Sequence, residues 1–257
     1  MTQTRRNFLG QSAMACSALF IPANEIIKSL GLEKHSPKSL KVFLFSKHLQ
    51  FLNYNDMSEA AAEMGFDGLD LTVRSNGHIV PERVAEDLPK AVDAMQRFGL
   101  RTQMLTTNVT DANDTQSKLI LETASKLGFQ QYRMGWLKYP EDKTIPESIE
   151  AYAQQFVTLA DLNKKLGLQG GYQNHAGNNV GAPVWDIYQI LKGIAPEFIG
   201  CQYDIRHAVV EGGNSWELGL NLIKDYIKTI VIKDFKWGQI DGKWKPISVP
   251  LGEGMVD

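Results

Sequence analysis

A helical stretch that ends in glycine, followed at once by Phe or Leu and a short β-prone run, recurs four times along this chain. The instances are Met64-Gly65-Phe66, Phe98-Gly99-Leu100, Leu127-Gly128-Phe129 and Leu166-Gly167-Leu168. Gly65, Gly99, Gly128 and Gly167 stand 34, 29 and 39 residues apart, the size of one βα unit. Each glycine suits the left-handed position that closes a helix, where a Cβ would clash. Strands and helices alternating at this period argue for a parallel sheet.

The β-prone runs place strands at residues 40–45, 68–73, 101–106, 129–134, 168–173, 198–204 and 228–234. Between them lie apolar faces at helical spacing, such as Ile149, Tyr152, Phe156, Leu159, Leu162 and Leu166. Asp56 with Glu59 makes a capping-box-like helix start, and Pro89 is expected either to begin or to kink the helix near residues 82–98. An open doubly wound sheet should carry a glycine-rich phosphate loop after its first strand. Here that position reads Ser46-Lys47-His48-Leu49-Gln50-Phe51, with no glycine. The expected fold is therefore a (β/α)8 TIM barrel, an α/β fold.

A closed barrel needs eight strands, but the segment after Phe235 offers only a turn at Asp241-Gly242 and a glycine-containing tail. The barrel is thus expected to stop before its eighth βα unit. Open edges on the first and seventh strands would leave backbone groups unpaired, so the natural chain is expected to continue by roughly 30 residues.

With 257 residues and 43% of them hydrophobic, one large core in one domain is the default. The formal net charge of -2 offers no broad cationic surface for nucleic-acid phosphates, and a small, water-soluble substrate fits better. Residues 1–35 read differently. Thr4-Arg5-Arg6-Asn7-Phe8-Leu9-Gly10 followed by the apolar Ala13 to Ile21 and then Pro22-Ala23 resembles a twin-arginine signal, which implies export to the periplasm. That run is too short for a stable membrane span, which needs about 20 residues. The expected barrel domain covers residues 36–257. Of the two cysteines, Cys16 falls in the signal, so Cys201 has no partner and no disulfide framework is expected.

In a barrel of this kind the chemistry collects at the C-terminal ends of the strands. Those ends supply Asp70, Thr72, Arg74 and His78; Thr106 and Thr107; Arg133 and Trp136; Gln173, Asn174 and His175; Asp204, Arg206 and His207; and Lys233, Asp234 and Trp237. Three of the five histidines fall just past an expected strand end. The runs Thr72-Val73-Arg74-Ser75-Asn76-Gly77-His78 with Pro81-Glu82, Gly171-Tyr172-Gln173-Asn174-His175, Asp204-Ile205-Arg206-His207-Ala208 and Ile232-Lys233-Asp234 resemble the xylose isomerase-like superfamily of sugar phosphate isomerases and epimerases, related to the endonuclease IV barrel.

That resemblance implies one divalent metal, Mn²⁺ or Mg²⁺, held by Glu, Asp, His and Glu from strands five to eight. This chain keeps only Asp204 of the set. The strand-five position is Gln173, which can still offer an amide oxygen, and the strand-seven position is Val231, which offers nothing. An intact family metal site is therefore not expected. A rebuilt one through Asp204 and Gln173, with His175 or His207, stays open.

The electrostatic work can instead fall to Lys233, since a cation in a site closed to water stabilises a developing enolate oxygen. Asp204 is the expected proton-transfer group and His207 an acid or a hydroxyl-orienting group, which makes Asp204, His207 and Lys233 the expected catalytic set. Arg74, His78, Arg133, Trp136, Gln173, His175 and Trp237 are the expected substrate-binding residues, the indoles by stacking on a sugar ring. The function expected is isomerisation or epimerisation of a carbohydrate or keto-sugar by proton abstraction next to a carbonyl. The alternatives are a lyase or hydratase on 3-keto-glycosides, and a non-catalytic sugar-binding barrel with a degenerate metal site. DNA repair is disfavoured by the charge balance and the export signal.

Overall fold

The computed structural model describes residues 40–256, and the expected export signal lies outside them. Seven strands form one parallel sheet whose spatial order follows the chain: β1 Phe43–Phe45, β2 Gly68–Val73, β3 Arg101–Thr107, β4 Gln131–Arg133, β5 Gln169–Gln173, β6 Ile199–Asp204 and β7 Ile227–Val231. Every neighbouring pair is parallel. The sheet does not close, because β1 and β7 do not pair with each other.

The helices are α1 Tyr54–Glu63, α2 Val84–Arg97, α3 Thr115–Lys126, α4 Ile145–Leu166, α5 Val184–Leu191, α6 Ile205–Gly212 and α7 Trp216–Ile223. All four punctuating glycines are left-handed, with φ of 83, 73, 84 and 67° at Gly65, Gly99, Gly128 and Gly167. Each lets the chain reverse from helix to strand without strain. The capping box expected at Asp56 and Glu59 is not the one that forms. Asn53 caps α1, accepting from the N–H groups of Asn55 and Asp56, and the reciprocal capping box sits on α4, between Thr144 and Glu147. Pro89 lies inside α2, one turn past a start already set by the 3-10 turn Pro81–Arg83.

Alternation along the strands sorts the side chains onto two faces. Leu69, Leu71, Val73, Leu105, Tyr132, Tyr172, Ile199, Cys201 and Tyr203 join the core formed with Leu88, Met95, Phe156, Leu159 and Ile187 of the helices. The face of α4 expected from its spacing packs as read, with Phe156 and Leu159 fully buried and Phe156 against Tyr172 at 5.4 Å. The other strand face is polar: Asp70, Thr72, Thr106, Gln131, Arg133, Gln173, Gln202 and Asp204. Glutamines tie its lower end, with Gln131 Nε2 donating to Gln169 Oε1 at 2.9 Å. Polar side chains thus occupy the face on which a barrel holds its substrate.

The last expected strand needs correction. Residues 228–234 are not one strand: β7 ends at Val231, and Asp234 begins β8 (Asp234–Ile240), which pairs antiparallel with β9 (Lys243–Val249). The two residues joining them, Asp241 at φ 53° and Gly242 at φ 72°, form the turn read from the sequence. The break comes from Asp234 itself. Its carboxylate accepts from the backbone N–H groups of Phe235, Gly252, Gly254 and Val256, which pins the tail to the start of β8. Burial alone would raise its pKa, but these four donors hold it below the usual carboxylate range. A Cβ on Gly254 would lie 2.0 Å from Asp234 Oδ1, so only glycine fits there.

Candidate functional site

Asp204 is the hub of the site. It ends β6, starts α6 as its N-cap, and is fully buried. Oδ1 accepts from the backbone N–H of His207 at 3.2 Å, while Oδ2 accepts from Gln173 Nε2 at 2.8 Å and from Lys233 Nζ at 2.6 Å. Asn174 clamps the Asp204 backbone from β5, donating to its carbonyl at 2.9 Å and accepting from its N–H at 2.7 Å. The ends of β5, β6 and β7 are therefore locked around one carboxylate.

A ladder of flat groups rises beside it. The Arg133 guanidinium lies 4.4 Å from the Trp136 ring, the Trp136 ring is 4.5 Å from that of His175, and the His175 ring is 3.9 Å from that of His207. Tyr172 holds the supporting loops, its hydroxyl accepting from Leu137 N and donating to the Val180 carbonyl. Gln173 links the ladder to the hub. It accepts from Arg133 Nη1 at 3.3 Å and donates to Asp204, the one amide orientation that suits a neighbour that only donates and a neighbour that only accepts.

The two histidines differ in what they can do. His207 is buried, and burial first, then the cations Lys233 and Arg206 and the neighbouring His175, push its pKa down to about 2. Nε2 sits 3.7 Å from Asp204 Oδ2, which by itself would favour the imidazolium, but burial and the cations prevail and the ring stays neutral. His175 is only half-buried, and burial again lowers its pKa. Its Nδ1 donates to the Ala176 carbonyl at 2.9 Å, which leaves Nε2 with a lone pair and no protein partner. His175 thus presents a neutral base on the accessible side of the ladder.

Asp70 is a strand-end side chain to which the sequence assigned no role. Thr106 Oγ1 meets both its carboxyl oxygens at 2.9 Å. Burial pushes its pKa up to about 6, against the opposing effects of Thr106, Arg133 and Arg74. Its signal in the sequence is parity, since it shares a strand face with Thr72 and neighbours the strand carrying Thr106. A raised carboxyl pKa means that stability is fully present below the ordinary value of 3.8 and is lost as pH rises through about 6. Asp70→Asn is expected to remove that loss and to gain on the order of 2 kcal/mol at pH 8 but little at pH 4. Urea midpoints of both proteins at the two pH values check it. An equal gain at both pH values would show that Asp70 does not titrate with folding.

Other expected residues fall elsewhere. His78 has both ring nitrogens engaged, Nε2 donating to the Leu49 carbonyl at 3.2 Å and Nδ1 meeting Ser46 Oγ at 3.2 Å, so it ties the β1 and β2 loops together. Arg74 lies over Phe45 at 5.6 Å and acts on Asp70 through its charge. Trp237 packs edge-on against Phe235 on the β8–β9 hairpin, with ring centroids 5.9 Å apart. Arg206 connects the hairpin to the site, donating to the Pro246 carbonyl and approaching His207 Nδ1 at 3.4 Å.

The donor set does not fit a divalent cation. Gln173 turns its NH₂, not its oxygen, toward Asp204, and the Lys233 ammonium already holds the Asp204 oxygen a metal would take. No group of three His, Cys, Asp or Glu side chains suited to a metal occurs among the described residues. No helix among them is long and apolar enough to cross a membrane, and Cys201 is a buried free thiol.

A parallel βα sheet with a charged cluster on its carboxyl ends defines a protein of the TIM-barrel class. The family model for xylose isomerase-like TIM barrels matches residues 58–257, and the chain belongs to that family. A search of curated proteins gives no match. Among solved structures, the chain is similar to the probable 3-DHS dehydratase AsbF from Bacillus anthracis, at 15% identity over 85% of this chain and 86% of that one, with a TM-score of 0.64. It is similar to a xylose isomerase-like TIM barrel protein from Mycobacterium smegmatis in complex with magnesium, at 13% identity over 78% and 73%, TM-score 0.57. It is also similar to the 3-keto-D-glucoside 4-epimerase YcjR from E. coli, at 12% identity over 69% and 73%, TM-score 0.55. At these identities the likeness speaks for the fold.

Proposed function

We propose that this chain is an enzyme that removes a proton next to a carbonyl of a carbohydrate or keto-sugar, for isomerisation or epimerisation. Elimination from a 3-keto-glycoside passes through the same carbanion and stays within the proposal. The observation that carries it is a neutral imidazole, His175, with an open Nε2, placed beside an ammonium, Lys233, held at 2.6 Å by a buried carboxylate. His175 takes the proton and Lys233 faces the oxygen on which charge develops. Asp204, with both oxygens committed to hydrogen bonds, fixes Lys233 in place and leaves the proton transfer expected of it to His175. Charge on Lys233 and Arg133 lowers the His175 pKa alongside burial, which keeps the base unprotonated at neutral pH.

The test is exchange of the α-proton in deuterated water, followed by NMR, with keto-hexoses and 3-keto-glucosides as substrates. Exchange at one carbon of at least one of them is expected. Sugar binding without exchange on any of them sinks the catalytic reading in favour of a non-catalytic binding barrel, which the saturated Asp204 would also suit. We further propose that the protein is exported, on the strength of the Arg5-Arg6 segment; a periplasmic fraction lacking the protein would refute it.

A further inference from the structure

Arg133 is a buried cation with no carboxylate in contact. It keeps 4% of its exposure, yet its bonded nitrogens reach only neutral oxygens, Gln173 Oε1 at 3.3 Å and the Thr107 carbonyl at 3.2 Å. Nε has no partner at all. Ion pairs form elsewhere, among them those on Glu86 and Asp87 of α2 and on Asp204. A guanidinium taken out of water without a counter-charge is costly, and a polar N–H without a partner adds to that cost. Such a group is retained where an anion comes to meet it.

The surroundings bring no anion into contact with it. Asp70 acts on Arg133 only through its charge: it makes no hydrogen bond to the guanidinium, and both its carboxyl oxygens are taken by Thr106. Asp204 is already matched by Lys233. Four cations, Arg74, Arg133, Arg206 and Lys233, act on this cluster against two carboxylates, Asp70 and Asp204. Trp136 covers one face of the guanidinium and, being 38% exposed, marks the side open to a ligand.

We infer that the site takes a sugar acid, a uronate or aldonate, whose carboxylate is received by Arg133 while the reacting carbon lies toward His175 and Lys233. The inference rests on the function proposed above and narrows its substrate class. A planar carboxylate suits the planar edge of a guanidinium better than a point charge would. A neutral hexose would bring no charge to balance the guanidinium.

Calorimetric titration of the full chain with D-glucuronate, D-galacturonate and D-gluconate, against D-glucose, D-galactose and inorganic phosphate, decides it. At least one acid should bind tenfold or more tighter than its neutral counterpart, and Arg133→Gln should weaken that acid by about 30-fold and erase most of its advantage over the neutral sugar. If no acid outbinds its neutral counterpart, the inference is overturned by the unaltered protein alone, whatever the variant does. Phosphate binding tighter than every acid would also overturn it, in favour of a phosphoryl group. Acid binding without exchange on any keto-sugar fails the enzyme reading and leaves this one standing. Exchange on neutral keto-sugars, with no preference for acids, does the reverse.

Discussion

Lys233→Gln is expected to lower α-proton exchange by about 10³-fold, chiefly in kcat, with KM changing by less than about threefold. The reason is where the charge acts. Lys233 Nζ is held at 2.6 Å from Asp204, and its charge reaches His175. An ammonium in that place matters little to a neutral carbonyl and a great deal to the enolate that replaces it, so its loss appears in the step that makes charge. Glutamine can still donate one N–H to Asp204 Oδ2, so the fold is expected to survive the change. Lys233→Arg should restore part of the rate, since it keeps the charge but spreads it over a larger, planar group. Purified variants assayed by NMR exchange at several substrate concentrations separate the two constants. A residual rate within tenfold of the parent would reduce Lys233 to an ion pair that closes the rim of the barrel.

Much of this arrangement is legible in the sequence. The four helix-ending glycines gave the βα period because a left-handed residue leaves a compositional mark, and all four have positive φ. Asp204, His207, Gln173, His175 and Lys233 converge because strand ends in a parallel barrel-like sheet share one rim, and strand order can be read from chain order. What sequence could not show was how each side chain is satisfied. His78 carries the same run-level signal as the others, yet Ser46 and Leu49, about thirty residues away, take both its nitrogens. Trp237 reads as a strand-end aromatic only while Asp234 is counted inside the seventh strand, and three of the four backbone donors to Asp234 come from a tail with no periodic pattern. Asp70 stands among the strand-end residues in the sequence, but nothing there shows that burial raises its pKa against the opposing effects of Thr106, Arg133 and Arg74.

Asp204→Ala should be the most destabilising single change in the site, by about 3 kcal/mol, because one side chain meets three separate demands. It caps α6 through the His207 N–H, a contact worth about 1 kcal/mol. It accepts the buried Gln173 amide, and stranding that donor costs on the order of 1–3 kcal/mol. It also balances Lys233, whose partial exposure lets water take over most of that loss, so the pair adds little. For a domain of this size the sum lowers the melting temperature by roughly 6–12 °C. Asp204→Asn keeps an oxygen for the cap and a shape for the pocket, and should cost about half as much. It nevertheless removes the charge that fixes Lys233, so both variants should lose exchange activity while the alanine variant loses about twice as much stability. Thermal melts of the two variants beside the parent test this ordering. Equal melting temperatures for the alanine and asparagine variants would mean that the carboxylate serves Lys233 alone, and that the ends of β5 and β6 are held instead by the Asn174 clamp.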